Sequence, residues 1–340
     1  MPILSPEQQV GKALTSLVSG TAPSFLWLNT DQIREFVVLV RDISVVLGMA
    51  QVRGVEGFAQ DWGTMDIAAG QMTGGLGAMT APTAAQEMAP TWGGRKLQPE
   101  PFEMMYQYEL SNLPQVNREE GGLESTVDSA VRTAITNDLE GIALNSQVGG
   151  TNPPDYNIGN QTTIDGWRIK ANNGNVYDHQ GGYVNPNVLK QLKYQMPQRW
   201  WRNNKADMVY LCSPTFHTEY RDYLSRRTTN LGDLSMLNEN QITYADVPLV
   251  EVPLIPDDEA GTLTQSDSST EHTWVMLVEK RNLILGFGPK MRVFVHPHRS
   301  GKWTYYNWYG KMDVQFERIG AVCLAVNVVP TMDPSLAVAY

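Results

Sequence analysis

Residues 207–256, DMVYLCSPTFHTEYRDYLSRRTTNLGDLSMLNENQITYADVPLVEVPLIP, hold the clearest structural signal in the chain. Met208 to Cys212 is a continuous apolar run and reads as a strand. Ser213-Pro214 follows it as an N-cap with proline at the first helical position, where its missing N–H costs nothing. Phe216, Tyr220, Tyr223 and Leu224 then mark the inner face of a helix, and Leu249 to Leu254 (LVEVPL) reads as a second strand.

Downstream, the polar loop Asp257 to Glu271 has no large apolar residue except Leu263 and leads to a strand at Trp274 to Val278. Leu283 to Val329 is nearly all strand: Val293 and Val295 alternate with Arg292 and His296, and Val314 and Phe316 with Asp313, Gln315 and Glu317. Upstream, a helix from Asn187 carries Val188, Leu189, Leu192 and Met196, and Pro197 stops it. Before it, Leu123, Val127, Val131, Ile135, Leu139 and Ile142 recur at steps of four and three residues. They predict a helix over 123–145, about 35 Å long, with Asn117 and Glu120 as a capping pair. Gly141 costs such a helix about 1 kcal/mol, so a close packing partner is expected there. Phe102 to Leu110 reads as a strand. Helices packed on sheets place the chain in the α+β class.

Residues 51–100 differ in texture: they hold nine of the chain's 29 glycines, and Ala69 to Thr91 carries a single charge, Glu87. Gln51 to Ala69 reads as extended chain and Trp92 to Met105 as a returning strand around Pro99 and Pro101. Nineteen extended residues reach about 60 Å, longer than a hairpin that could bury itself on a domain of this size. A lone two-stranded ribbon is marginal in water, so this one needs a neighbour. A glycine-rich insert lying loosely on its own subunit is the alternative. The first 30 residues form an arm, with an amphipathic stretch from Val10 to Val18. A helix capped by Asn29 and Thr30 then runs from Asp31 to about Gly48.

Composition excludes several functions. The chain has 340 residues with 42% hydrophobic content, enough for a sizeable core. Its 26 basic and 36 acidic side chains leave a net charge of −10, which argues against a dedicated DNA reader. Charged residues make up 18%, against roughly 25% in ordinary globular chains, so much of the surface is expected to face other protein. Cys212 and Cys323 lie in apolar strand-like runs and read as core residues of a protein in a reducing compartment. No stretch reads as a membrane span, because the most apolar ones are short.

No catalytic constellation emerges. Gly74-Gly75-Leu76-Gly77 lacks the spacing and flanking elements of a nucleotide loop. His296-Pro297-His298 has no cysteine or carboxylate beside it and reads as a strand end. His179, His217 and His272 are scattered. Asp257-Asp258-Glu259 reads as solvated acids, and Asn160-Gln161-Thr162 is a sequon without meaning unless the chain is exported. Arg199-Trp200-Trp201-Arg202 with Lys205 interleaves cations and rings as a nucleic-acid binder would. Tryptophans covering a core edge or subunit interface are the favoured reading there. No catalytic, cofactor-binding or metal-binding residue is assigned, and no cofactor is expected.

The order of these pieces resembles the major capsid proteins of tailed bacteriophages, the Hong-Kong-97-type fold. The resemblance is carried by 207–256: a strand, Ser-Pro, Tyr-Arg-Asp-Tyr-Leu, Leu-Gly-Asp, then Tyr, a three-residue turn and a Pro-Leu-Val-Glu-Val-Pro strand. DQIREFVVLVRDISVVLGMAQV at 31–52, NDLEGIALNSQ at 137–147, DGW at 165–167 and KRNLILGFGPKMRVFV at 280–295 support it. The resemblance implies an arm at 1–30, a first core helix and entry strand at 31–52 and an extended loop at 53–100. It further implies a peripheral domain at 101–164 and 281–340, built on a spine helix at 118–146, and an axial domain at 165–280. It implies a non-enzymatic subunit that forms hexamers and pentamers of an icosahedral head around double-stranded DNA, assembled in the host cytoplasm and located in the virion. The implied partners are a separate scaffolding protein, a portal, a decoration protein and the DNA itself, held without sequence preference, with no membrane. Lys96 is the only lysine in the extended loop, and no Lys–Asn cross-link is predicted. The rival readings are an encapsulin-like cellular compartment of the same fold, a carbohydrate-binding β-rich protein using Trp200, Trp201 and Trp303, and a single-strand nucleic-acid binder through Arg199 to Lys205.

Overall fold

The computed structural model describes residues 24–27, 43–55, 57, 59–66, 91–109, 123–148, 164–201, 207–225, 242–257, 272–288, 292–297 and 303–331. Their strands are β1 (Ser24–Trp27), β2 (Gln51–Gly54), β3 (Gln60–Asp66), β4 (Thr91–Leu97), β5 (Glu100–Glu109), β6 (Asn175–Tyr183) and β7 (Met208–Cys212). There follow β8 (Thr243–Tyr244), β9 (Val247–Glu251), β10 (Thr273–Glu279), β11 (Leu283–Phe287), β12 (Arg292–Pro297), β13 (Trp303–Phe316) and β14 (Val322–Val329). They form two six-stranded sheets and one two-stranded ribbon.

The first sheet is organised by β13. Its one edge pairs antiparallel with β11 (Leu283↔Phe316 to Phe287↔Met312) and then with β12 (Arg292↔Tyr309 to Pro297↔Thr304), with a two-residue shift of register between them. Its other edge pairs with β5, from Met312↔Glu100 to Trp303↔Glu109. β2 lies parallel on the outer edge of β11, and β1 lies antiparallel on β12. The stretch expected to be an arm thus lends four residues to the sheet.

The second sheet runs β6-β14-β10-β7-β9-β8. In β7, β10 and β14, successive residues enter opposite cores, because side chains alternate across a strand. Val209, Leu211, Trp274, Met276, Val278, Val322 and Leu324 join the first core. Met208, Tyr210, Cys212, Val275, Leu277, Cys323 and Ala325 join the second. This double burial is why MVYLC is apolar without alternation. The second core is covered by the helices Pro186–Gln195 and Pro214–Ser225, through Val188, Leu189, Leu192, Phe216 and Tyr220. Both helices start as their sequences require: Asn185 Oδ1 accepts from Asn187 N at 2.9 Å and Ser213 Oγ from Phe216 N at 3.2 Å.

The long helix spans Leu123–Asn145, as its periodicity predicts, and inserts Ile135, Leu139 and Ile142 into the first core beside Met312, Val314 and Phe316 of β13. Gly141 is buried, but the tightest approach falls at Gly166, where a Cβ would meet the Leu144 carbonyl oxygen at 2.7 Å. Gly166 N donates to Ser146 O at 2.7 Å, which seats the helix Trp167–Ala171 against the end of the long one.

Three expectations need correction. β14 does not join the first sheet with the rest of 281–340; it lies between β6 and β10 in the second, because the turn Ile319–Ala321 carries the chain across. The helix expected to run unbroken to Gly48 restarts at Ser44, whose backbone is extended (φ −92°, ψ 133°) and whose Oγ accepts from Leu47 N at 3.0 Å. The serine that should continue the helix caps a new one, Val45–Met49. Residues 31–42, like the capping pair Asn117 and Glu120, lie outside the described residues. The turn after Tyr244 has two residues, not three, since Tyr244 pairs with Val247. Ala245 and Asp246 occupy it at φ +51° and +70°, where L-residues are strained. The double substitution A245N/D246G is therefore expected to stabilise the fold by about 1 kcal/mol, read as a raised midpoint in urea; an unchanged or lowered midpoint contradicts this account of the turn.

Candidate assembly surface

The ribbon is β3 paired with β4, from Gln60↔Leu97 to Asp66↔Thr91, and among the described residues neither strand pairs with a third. Gln60, Asp61, Gly63, Gly94 and Lys96 are exposed. Gly63 and Gly94 oppose each other, and a Cβ on either would meet nothing within 4 Å. Past Trp62 the ribbon therefore faces open space at Gly63 and Gly94. Residues 67–90, which include Gly74 to Gly77 and Glu87, lie outside the described residues.

Its base is firmly held. Leu97, 1% exposed, packs with Val55 and Ile284, and Trp62 lies half-buried against them. Leu97 sits directly over Gly286, where any Cβ would come within 2.3 Å of Leu97 Cδ2. The Arg53 guanidinium stacks 4.9 Å from the centre of the Trp62 ring, and Gln315 Nε2 donates to Lys96 O at 3.3 Å. Burial of Leu97 alone is worth about 2 kcal/mol.

The deepest polar anchor is Asp313, 5% exposed on β13. Its Oδ2 accepts from Gln98 N at 2.8 Å, directly after β4. Its Oδ1 accepts from Lys170 Nζ at 2.6 Å and from Val314 N at 2.8 Å. Lys170 Nζ also donates to Val314 O. One carboxylate thus joins the ribbon's root, the first sheet and the helix Trp167–Ala171. None of Asp313, Lys170 or Gln98 stands out in the sequence, because Asp313 alternates there as a surface residue would.

The long helix carries two further carboxylates toward its neighbours. Tyr106 OH on β5 donates to Asp138, and burial raises the pKa of both groups. Glu140 is also pushed up by burial, opposed by hydrogen bonds from Ser44 and from Val46 N at the start of the short helix Val45–Met49. These contacts fasten the helix to the first sheet and to the segment that leads into the ribbon.

The sequence-level candidates do not converge. Burial lowers the pKa of His179 and His217; His217 Nδ1 lies 3.7 Å from Glu251, and His179 contacts Tyr177 and the Tyr183 carbonyl. Asp257 accepts from Thr215 Oγ1 beside the start of the helix Pro214–Ser225, while Asp258 and Glu259 lie outside the described residues. The side chain of His296, together with His298, Asn160, Gln161, Thr162, Arg202 and Lys205, also lies outside. Cys212 and Cys323 are free and buried, and burial pushes the Cys323 thiol up to about 12 and that of Cys212 up as well. Among the described residues no group of three or more His, Cys, Asp or Glu side chains could hold a metal ion. No described helix is long and apolar enough to cross a membrane.

Two sheets, a spine helix and a projecting ribbon in this order are the Hong-Kong-97-type shell fold. The chain is similar to one from the procapsid of satellite phage P4 that includes the size-determination (Sid) protein: TM-score 0.63, 12% identity, 96% of this chain and 98% of that one. It is also similar to the capsid of a native GTA particle, with TM-score 0.54, 10% identity and coverage of 84% and 90%. In sequence it is 24% identical over 212 residues to a Bacillus subtilis (strain 168) protein described as a prophage capsid protein, YqbE. That match takes in 62% of this chain and 64% of the relative, less than two thirds of its length. No protein-family model matches the chain.

Proposed function

We propose that this chain is the major capsid protein of a tailed bacteriophage, self-assembling into hexamers and pentamers that close an icosahedral head around double-stranded DNA. The ribbon carries the reading: among the described residues its outer edges pair with no other strand while its base is anchored on the first sheet, so a partner supplied from outside the subunit would complete it. A second copy of the chain meets that need, and closed symmetry repeats the contact through the shell. The shell fold and the capsid-like relative support the same conclusion. In this reading the first sheet with the spine helix is the peripheral domain, and the 165–280 region with β14 is the axial domain. Its role is structural and not catalytic, and a separate scaffolding protein, a portal and a decoration protein complete the head. Expressed alone or with its scaffold, the protein is expected to run as capsomers or shells in sizing and negative-stain microscopy, and infected-cell particles are expected to protect DNA from nuclease. A stable monomer under all conditions overturns assembly; particles filled with protein cargo and no protected DNA overturn the viral role in favour of a cellular compartment.

A further inference from the structure

Trp200 lies in the short helix Gln198–Trp201 and packs half-buried against the second core, the core-edge role favoured for it from sequence. The fold adds a residue that local sequence gives no hint of. Arg318, just before the turn Ile319–Ala321, places its guanidinium 5.0 Å from the Trp200 ring centre, while Arg199 places its own at 4.8 Å. Both arginines are exposed. Gly320 fits beneath them: a Cβ there would stand 3.7 Å from Arg199 Nη2 and 3.9 Å from Trp200 Nε1.

The position of Arg318 is built. The side chain of Asn282, 4% exposed, accepts from Arg318 N at 2.6 Å and donates to Arg318 O at 2.9 Å. This ties Arg318 to the turn Lys280–Asn282, which carries Lys280 and the exposed Arg281. Asn175 Nδ2 donates to Gly320 O at 3.2 Å and Val322 O at 3.0 Å, holding the other side. Three strand ends, those of β6, β10 and β14, thus gather Arg199, Arg318, Lys280 and Arg281 at one end of the second sheet of an acidic protein. Among the described residues, Asp207 is 3.7 Å from Arg281, Glu317 is 4.0 Å from Arg53, and Glu279 ends β10 beside the turn Lys280–Asn282.

We propose that Arg199 and Arg318, fixed on Trp200, form a contact for the phosphate backbone of duplex nucleic acid; the choice of duplex DNA as its occupant rests on the capsid reading. Guanidinium groups offer planar forks matched to phosphate oxygens. The indole is occupied by two cations and by the core, so it orients arginines and does not stack bases. Both guanidinium carbons lie within 5.0 Å of one ring centre, so they are at most about 10 Å apart, a span of duplex that carries about three phosphates per strand. The contact reads charge and not sequence.

The test is fluorescence anisotropy of a labelled duplex oligonucleotide with the full-length protein, between about 50 and 200 mM salt. R199A/R318A is expected to weaken binding at the lowest salt by about tenfold or more and to flatten the log K against log salt slope by about 1.8; R199K/R318K, which keeps the charge, is expected to retain the slope. Should the double alanine variant fail to fold by circular dichroism, R318Q alone is expected to flatten the slope by about 0.9. No binding by the wild type, or an unchanged slope in the alanine variant or in R318Q, overturns the proposal. Tighter arginine-dependent binding of polyglutamate than of duplex overturns it in favour of an acidic protein partner. The same preparations are scored for particles by microscopy: normal shells with unchanged DNA binding in R199A/R318A sink the contact and leave the capsid reading standing, whereas a wild type that forms no particles sinks the capsid reading alone.

Discussion

Replacing residues 61–96 by a short Gly-Ser turn is expected to abolish shell assembly while the subunit still folds. The replacement keeps Gln60 and Leu97, so the small cluster of Leu97, Val55 and Ile284 survives. It removes the Arg53–Trp62 stack, which is worth about 0.5–1 kcal/mol, the packing of half-buried Trp62 on that cluster, and the described ribbon beyond Trp62, where a Cβ at Gly63 or Gly94 would meet nothing within 4 Å. Stability should therefore fall by about 2 kcal/mol, whereas every intersubunit contact proposed for the ribbon is lost in every copy. Negative-stain microscopy and urea unfolding of the same sample read the two effects separately. Shells at wild-type yield would contradict the role given to the ribbon.

Asp313→Ala is expected to be the most destabilising single substitution considered, by about 3–5 kcal/mol. It strands Lys170, whose side chain is only 19% exposed and 2.6 Å from the carboxylate, and it leaves Gln98 N without its acceptor just as the chain leaves the ribbon. D313N, which keeps one carbonyl acceptor and no charge, should fall between. In a cycle with K170M, the double variant should lose less than the sum of the singles, since either change alone already breaks the pair. A cost below about 1 kcal/mol for D313A, measured by denaturant unfolding, would show that the anchor is not what holds the ribbon's root.

Periodicity made the elements legible. The Leu123–Asn145 helix, β7 and the Ser213 cap lie where the local pattern puts them, because helix and strand spacing and N-cap chemistry act over a few residues. Positions that need long-range pairing were not legible. β1 reads as part of an arm until it meets β12, and β14 reads as one more strand of the C-terminal run until the Ile319–Ala321 turn carries it into the other sheet. Ser44 fits a helix by its neighbours and breaks it by its hydroxyl.

The candidate surfaces divide the same way. Sequence alone pointed to a ribbon within residues 51–100, since reach per extended residue is a local quantity, and the structure places its paired strands at Gln60–Asp66 and Thr91–Leu97 while Gln51–Gly54 joins the first sheet. It also marked MVYLC as a continuous apolar strand, and the structure adds the reason, since its residues alternate into two separate cores. Only the tertiary structure decided which carboxylate pins the ribbon and which arginine joins Arg199 on Trp200. Asp313 meets Gln98 and Lys170, and Arg318 meets Trp200, across separations of more than a hundred residues. Such contacts are set by sheet order and by the turns between strands, and no window of sequence contains both partners.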